Sequence, residues 1–187
     1  MDEKGRIQEI DIREDALNDP PWFIYSSSGT WSIDFVREWK HKINWFYYCN
    51  GHAKQMTEDF VIEFADYVNW SQLSEWMWND IIYEKFWDKI DWTVFTCGHV
   101  NELSEDFISK FAPFINWIYV GMSDRKWSNN FLIKNKKFME WKYYFVDHKR
   151  KEGFINKVAD TFDPFVWDVV LKTQNLSEGF KKKWGKL

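Results

Sequence analysis

The sequence predicts an all-α fold, a solenoid of about six short helix-turn-helix repeats with a period of 22–26 residues. Three observations predict it. A Trp recurs at Trp45, Trp70, Trp92, Trp117, Trp141 and Trp167. Apolar residues recur at fixed offsets before each Trp. Helix-capping residues stand where those offsets require helices to begin.

The first helix of each repeat, helix A, carries Phe35, Phe60, Ile82, Phe107 and Phe131 ten positions before the Trp. Six positions before lie Trp39, Phe64, Phe86 and Phe111; two before lie Ile43, Val68, Ile90, Ile115, Met139 and Phe165. Residues such as Phe60, Phe64 and Val68 fall at i, i+4 and i+8, one face of a helix of about eleven residues. Thr57-Glu58-Asp59 and Ser104-Glu105-Asp106 place a hydroxyl cap and first-turn acids at its start, and Ser177-Glu178 opens a last, truncated unit. Asn44, Asn69, Asp91 and Asn116 directly precede the Trp and cap the second helix, helix B. Gly51, Gly98 and Gly121 near its end suit left-handed C-caps. Such short helices are marginal alone, so stacking must stabilise them.

The pattern varies along the chain. Pro113 should kink or stop the fourth helix A near Ala112. Asn135 occupies an aromatic column, and Asp163-Pro164 marks a helix start in the stretched sixth unit. Residues 1–19 form an atypical cap or leader. Trp22, 23 residues before Trp45, heads a degenerate zeroth unit after Pro20-Pro21. The expected boundaries are therefore a leader and capping segment over 1–31, a repeat domain over 32–180 and a basic tail over 181–187.

Leu103-Ser104-Glu105-Asp106-Phe107-Ile108 through Ile115-Asn116-Trp117, with Met56 through Trp70, resembles the short aromatic helical repeats of large DNA viruses and bacteriophages. The resemblance spans roughly residues 32–180. It implies a viral or phage setting and brings no catalytic residues with it.

Composition narrows the function classes. Aromatic residues make up 21% of the chain, including 14 Trp, and charged residues 29%. Two Cys do not make a disulfide framework. Met1 to Asp19 is acidic and lacks the apolar core of a signal peptide. No run of about 18 apolar residues suggests a transmembrane helix. Charge is polarised: residues 1–100 carry 9 Lys/Arg and 18 Asp/Glu, residues 101–187 carry 16 and 11. Solvated helix faces explain this, and a directional partner surface would use it.

No motif demands an enzyme. Cys49-Asn50-Gly51-His52 and Cys97-Gly98-His99 stand at matching places, four and five residues after their Trp, and supply tetrahedral zinc ligand types. Two repeats separate them, and packed helices lie ~8–10 Å apart, too far for one ion. No metal or cofactor is expected. Glu58-Asp59 and Glu105-Asp106 are explained by capping, and no Gly-x-Ser-x-Gly or phosphate-cradling loop occurs.

What remains is surface. Tyr47, Tyr48, Trp76, Trp78, Tyr119, Trp127, Tyr143 and Tyr144 lie outside the repeat columns and are the candidate partner-binding aromatics. Lys134, Lys136, Lys137, Lys142, Lys149, Arg150 and Lys151 form a candidate basic patch. The expected function is a protein-protein interaction or structural assembly module, non-catalytic, with a viral or host protein partner or a second copy, in the host cytoplasm or the virion. The alternatives are an aromatic pocket that sequesters a small molecule or nucleotide, and nucleic-acid binding by the basic second half.

Overall fold

The computed structural model describes residues 22–27 and 31–186. Among them are fourteen α-helices, two short 3-10 turns (Ala53–Gln55 and Ala159–Thr161) and no strand. The B helices are α1 (Trp22–Ser26), α3 (Trp45–His52), α5 (Trp70–Leu73), α7 (Trp92–His99), α9 (Trp117–Met122), α11 (Trp141–Asp147) and α13 (Pro164–Thr173). The A helices are α2 (Ile33–Trp39), α4 (Glu58–Glu63), α6 (Asp80–Lys85), α8 (Glu105–Lys110), α10 (Asn129–Lys134), α12 (Glu152–Val158) and α14 (Glu178–Lys183). The chain divides into two compact units, Met1–Asp91 and Trp92–Leu187. In the first unit α1 packs on α3 and α3 on α5. In the second, α7, α9, α11 and α13 pack in succession, and α10 packs on α12.

Local chemistry starts most of these helices. Ser32, Thr57, Ser104, Ser128 and Ser177 cap the A helices, each hydroxyl accepting the N–H three residues on, at 3.0–3.3 Å. Asn44, Asn69 and Asn116 cap the B helices through their side-chain oxygens. Asp163 accepts from Val166 N–H at 2.8 Å, with Pro164 in the first turn, as the sequence suggests.

Helix A is shorter than the periodicity predicts. α4, α6, α8 and α10 each have six residues, and turns carry the chain on to the next cap. The repeat Trp locks those turns. Its indole N–H donates to the carbonyl five residues earlier: Trp45 to Lys40, Trp70 to Ala65, Trp117 to Ala112 and Trp141 to Lys136, at 2.8–3.1 Å. Pro113 is therefore not what stops α8, because α4 and α10 stop at the same offset without a proline.

Two aromatic columns meet across repeats. The ring of Trp45 lies 5.5 Å from Phe64, Trp70 lies 4.9 Å from Phe86, and Trp92 lies 5.2 Å from Phe111. Where Asn135 replaces the ring, Trp117 packs on Phe131 and Phe138. The buried Asn135 amide is satisfied by Ser109 Oγ at 2.9 Å and Phe131 O at 3.0 Å.

A third column lies four residues after each Trp. The hydroxyls of Ser26, Ser74 and Thr96 donate to the carbonyls of Trp22, Trp70 and Trp92 at 2.5–2.6 Å. Each accepts the N–H of the next B-helix cap, Asn44, Asp91 and Asn116, at 2.9–3.3 Å. Cys49 holds this position in its repeat, and its sulfur accepts Asn69 N–H at 3.2 Å. Ser26 and Trp22 make the same pair of bonds one repeat earlier.

Several expectations need correction. Gly51, Gly98 and Gly121 are not left-handed caps; all three sit inside helices, and Gly185, at φ 64°, is the positive-φ glycine among the described residues. At Gly51 and Gly121 the backbones pack tightly: a Cβ would lie 2.9 Å from Ser27 O and 3.2 Å from Glu140 O. Phe165 does not join the buried column. It is 76% exposed because α13 begins at Pro164, a turn before its Trp, and Phe162 packs against Trp141, Phe145 and Trp167 instead. The segment expected as a basic tail continues helix α14 to Lys183, and Trp184 packs 5.6 Å from Trp167. The expected leader over residues 1–19 lies outside the described residues. No helix among the described residues is long and apolar enough to cross a membrane.

Candidate functional site

The repeat columns decide which aromatics reach the surface. Three residues after each Trp stand Tyr48, Leu73, Phe95, Val120, Tyr144 and Val170, all buried. Tyr48 and Tyr144 are thus core residues rather than surface candidates. Burial raises the Tyr144 phenol above its ordinary pKa, and its hydrogen bond from Arg150 works the other way. A second column precedes six of the seven A-helix caps: Trp31, Met56, Trp78, Leu103, Trp127 and Leu176. It acts as a staple on the A helix, with Trp31 5.1 Å from Phe35 and Trp127 4.9 Å from Phe131. Trp127 is only 1% exposed, and its indole N–H is satisfied by Val120 O and Ser123 Oγ. Trp78 is half-buried and donates to Leu73 O at 2.8 Å. These columns were visible in the sequence, and aligning positions beyond the first four offsets would have found them.

The other four candidates do reach solvent. Tyr47, Tyr119 and Tyr143 share the position two after the Trp; Tyr47 is exposed and the other two are half-buried. Trp76 is exposed beyond α5. In the second unit this column meets the one five after the Trp in the preceding repeat. Tyr119 of α9 faces Cys97 of α7, whose thiol raises the phenol pKa. Met122 and Val146 hold the same position as Cys97 in α9 and α11, and each is 54% exposed. Val94, Cys97, Tyr119, Met122, Tyr143 and Val146 therefore form an outward stripe along three adjacent B helices. In the first unit Phe46 and Tyr47 are exposed on α3, their rings edge to face at 5.3 Å.

The basic candidates do not act as one patch. Lys136 is paired with Asp160 at 2.6 Å, which holds that carboxylate below its ordinary pKa. Lys137 and Lys142 lie over Phe138 and Tyr143, at 4.8 and 4.9 Å from the ring centroids. Lys134 is exposed at the end of α10. Lys149, Arg150 and Lys151 line a cavity of about 630 Å³ together with Asn129, Ile133, Gly153, Phe154 and Lys157.

Cys49 and Cys97 are not equivalent. Cys49 is buried in the hydroxyl column, and burial pushes its thiol up to about 11. Cys97 lies one position on and is exposed. His52 is buried against Tyr48, with Nδ1 2.9 Å from the Tyr48 carbonyl oxygen. Among the described residues no three His, Cys, Asp or Glu side chains converge on a metal position. A smaller aromatic cavity, about 260 Å³, is lined in the first unit by Trp31, Tyr48, His52, Met56 and Phe60. No protein family, curated protein or solved structure matches this chain.

Proposed function

We propose that the chain is a non-catalytic helical-repeat module that docks a protein partner or a second copy through the outer face of its B helices. The observation that carries this reading is the stripe of Val94, Cys97, Tyr119, Met122, Tyr143 and Val146, an apolar surface repeated at one position in successive helices. Tyr and Met are favoured interface residues. The core does not need Met122 or Val146, since both are more than half exposed. The resemblance of the repeat supports a viral or phage setting, with a solenoid array presenting this face inside the host cell or in the virion.

The test is a Met122→Glu, Val146→Glu double variant compared with the wild type. Its fold should be unchanged, because exposed substitutions of this kind cost less than about 0.5 kcal/mol each. Its self-association by light scattering, or its capture of a defined partner from infected-cell lysate, should be lost. A wild type that stays monomeric and captures the same proteins as the variant would reject the reading.

A further inference from the structure

The sixth repeat breaks the pattern of the others at two adjacent columns. The staple position, held elsewhere by Trp31, Met56, Trp78, Leu103, Trp127 and Leu176, here holds Arg150. The A-helix cap, held elsewhere by Ser32, Thr57, Asn79, Ser104, Ser128 and Ser177, here holds Lys151, which makes no side-chain cap bond. Lys151 forgoes the cap bond with no bond in its place, and Arg150 exchanges the apolar staple for hydrogen bonds to Tyr144, Asn129 and Trp127, which set a fixed charge here.

The geometry around them is that of an anion site. Arg150 is half-buried and held in place: Nε donates to Tyr144 Oη at 2.6 Å, one terminal nitrogen to Asn129 Oδ1 at 3.1 Å and the other to Trp127 O at 2.9 Å. Its guanidinium lies 5.2 Å from the Phe154 centroid, where the staple ring packs in other repeats. Every one of these acceptors is neutral, and none is a carboxylate. Lys149 likewise donates to a backbone carbonyl, that of Thr173. Elsewhere Arg37, Lys89 and Lys136 are paired with Glu63, Asp66 and Asp160 of a neighbouring repeat. Glu152, the nearest acid in sequence, is taken up by the N–H of Ser177. Lys149, Arg150 and Lys151 form a shared wall between two cavities. One, about 630 Å³, adds Lys157; the other, about 410 Å³, adds Thr173, Gln174 and Asn175. Neither cavity has an acidic residue in its lining.

We propose that this double groove binds single-stranded nucleic acid through consecutive backbone phosphates. Two cavities along one cationic wall offer more than one phosphate position, and donor-only side chains match phosphate oxygens. The inference is independent of the partner surface on the B helices.

The test is fluorescence anisotropy of a labelled oligo-dT on the full chain across a salt series. Neutralising three to four phosphates on a single strand gives a log-log salt slope of about −2 to −3. Lys149→Gln with Lys157→Gln should weaken binding about tenfold and flatten the slope. Lys182→Gln, an exposed residue of α14, should leave both unchanged. Lys151→Ser separates site loss from misfolding. It restores the hydroxyl cap used by the other repeats, so it should raise the Tm while lowering affinity. Absence of low-salt binding, groove variants that bind like the wild type, or displacement of the strand by poly-Glu or ATP at equal charge would each overturn the proposal.

Discussion

At the scale of the residue, one side chain can serve the same backbone task in successive repeats while its chemistry changes. Ser26, Cys49, Ser74 and Thr96 all accept the N–H of the next cap. The task gives Cys49 a structural reason to be present, and its burial fixes its reactivity. At pH 8 a thiol with a pKa of about 11 is ionised to about one part in a thousand. Alkylation of the native protein at pH 8 should therefore label exposed Cys97 and leave Cys49 untouched until unfolding, as read by peptide mass spectrometry. The same shift has a stability consequence. Its folded value lies above the ordinary 9.0, so its contribution is complete below about pH 9 and is lost as pH rises towards 11. Rapid labelling of Cys49 in the folded protein would contradict both statements.

At the scale of the element, packing decides what a glycine is for. Gly98 and Gly121 look alike in sequence, and both lie in B helices. A Cβ at Gly98 would meet nothing within 4 Å, whereas at Gly121 it would sit 3.2 Å from Glu140 O and 3.3 Å from Tyr144 N. Gly98→Ala should raise stability by about 0.5–1 kcal/mol, through helix propensity alone. Gly121→Ala should lower it by about 1–3 kcal/mol, because α11 must move away. Denaturant melts of the two variants check the sign of each. The length of helix A belongs to this scale too. The apolar spacing from Phe60 to Val68 is helical, yet α4 ends at Glu63. The indole N–H of Trp70 claims the Ala65 carbonyl from outside the helix.

At the scale of the molecule, coupling runs between neighbouring repeats. Their hydrogen bonds join residues from 17 apart, Asp91 to Ser74, to 29 apart, Gln174 to Phe145. Salt bridges follow the same rule, with Arg37 on Glu63 and Lys136 on Asp160. Further ties join successive A helices: Glu105 accepts from the backbone and hydroxyl of the next cap, Ser128, and Glu152 from the backbone of Ser177. Such nearest-neighbour coupling localises damage. Val158→Ala, which opens a small cavity under α12, should lower amide protection in α10, α12 and α13 and leave α7 at wild-type rates. Hydrogen exchange by mass spectrometry would show it. A uniform loss across the second unit would mean that its repeats unfold as one body.

The all-α class, the repeat, most of its caps and the Trp column were legible in the chain, because these rest on interactions a few residues long whose signature is spacing. It also held the core columns that take in Tyr48, Trp127 and Tyr144, although they become legible only when every offset is aligned. Which tyrosines face water, the close approach at Gly121, and the groove lined by Arg150 and Lys151 with no acidic residue in its lining come from the packing of one repeat on the next. Those properties depend on what the next repeat brings alongside, about 24 residues away, and no local pattern records that.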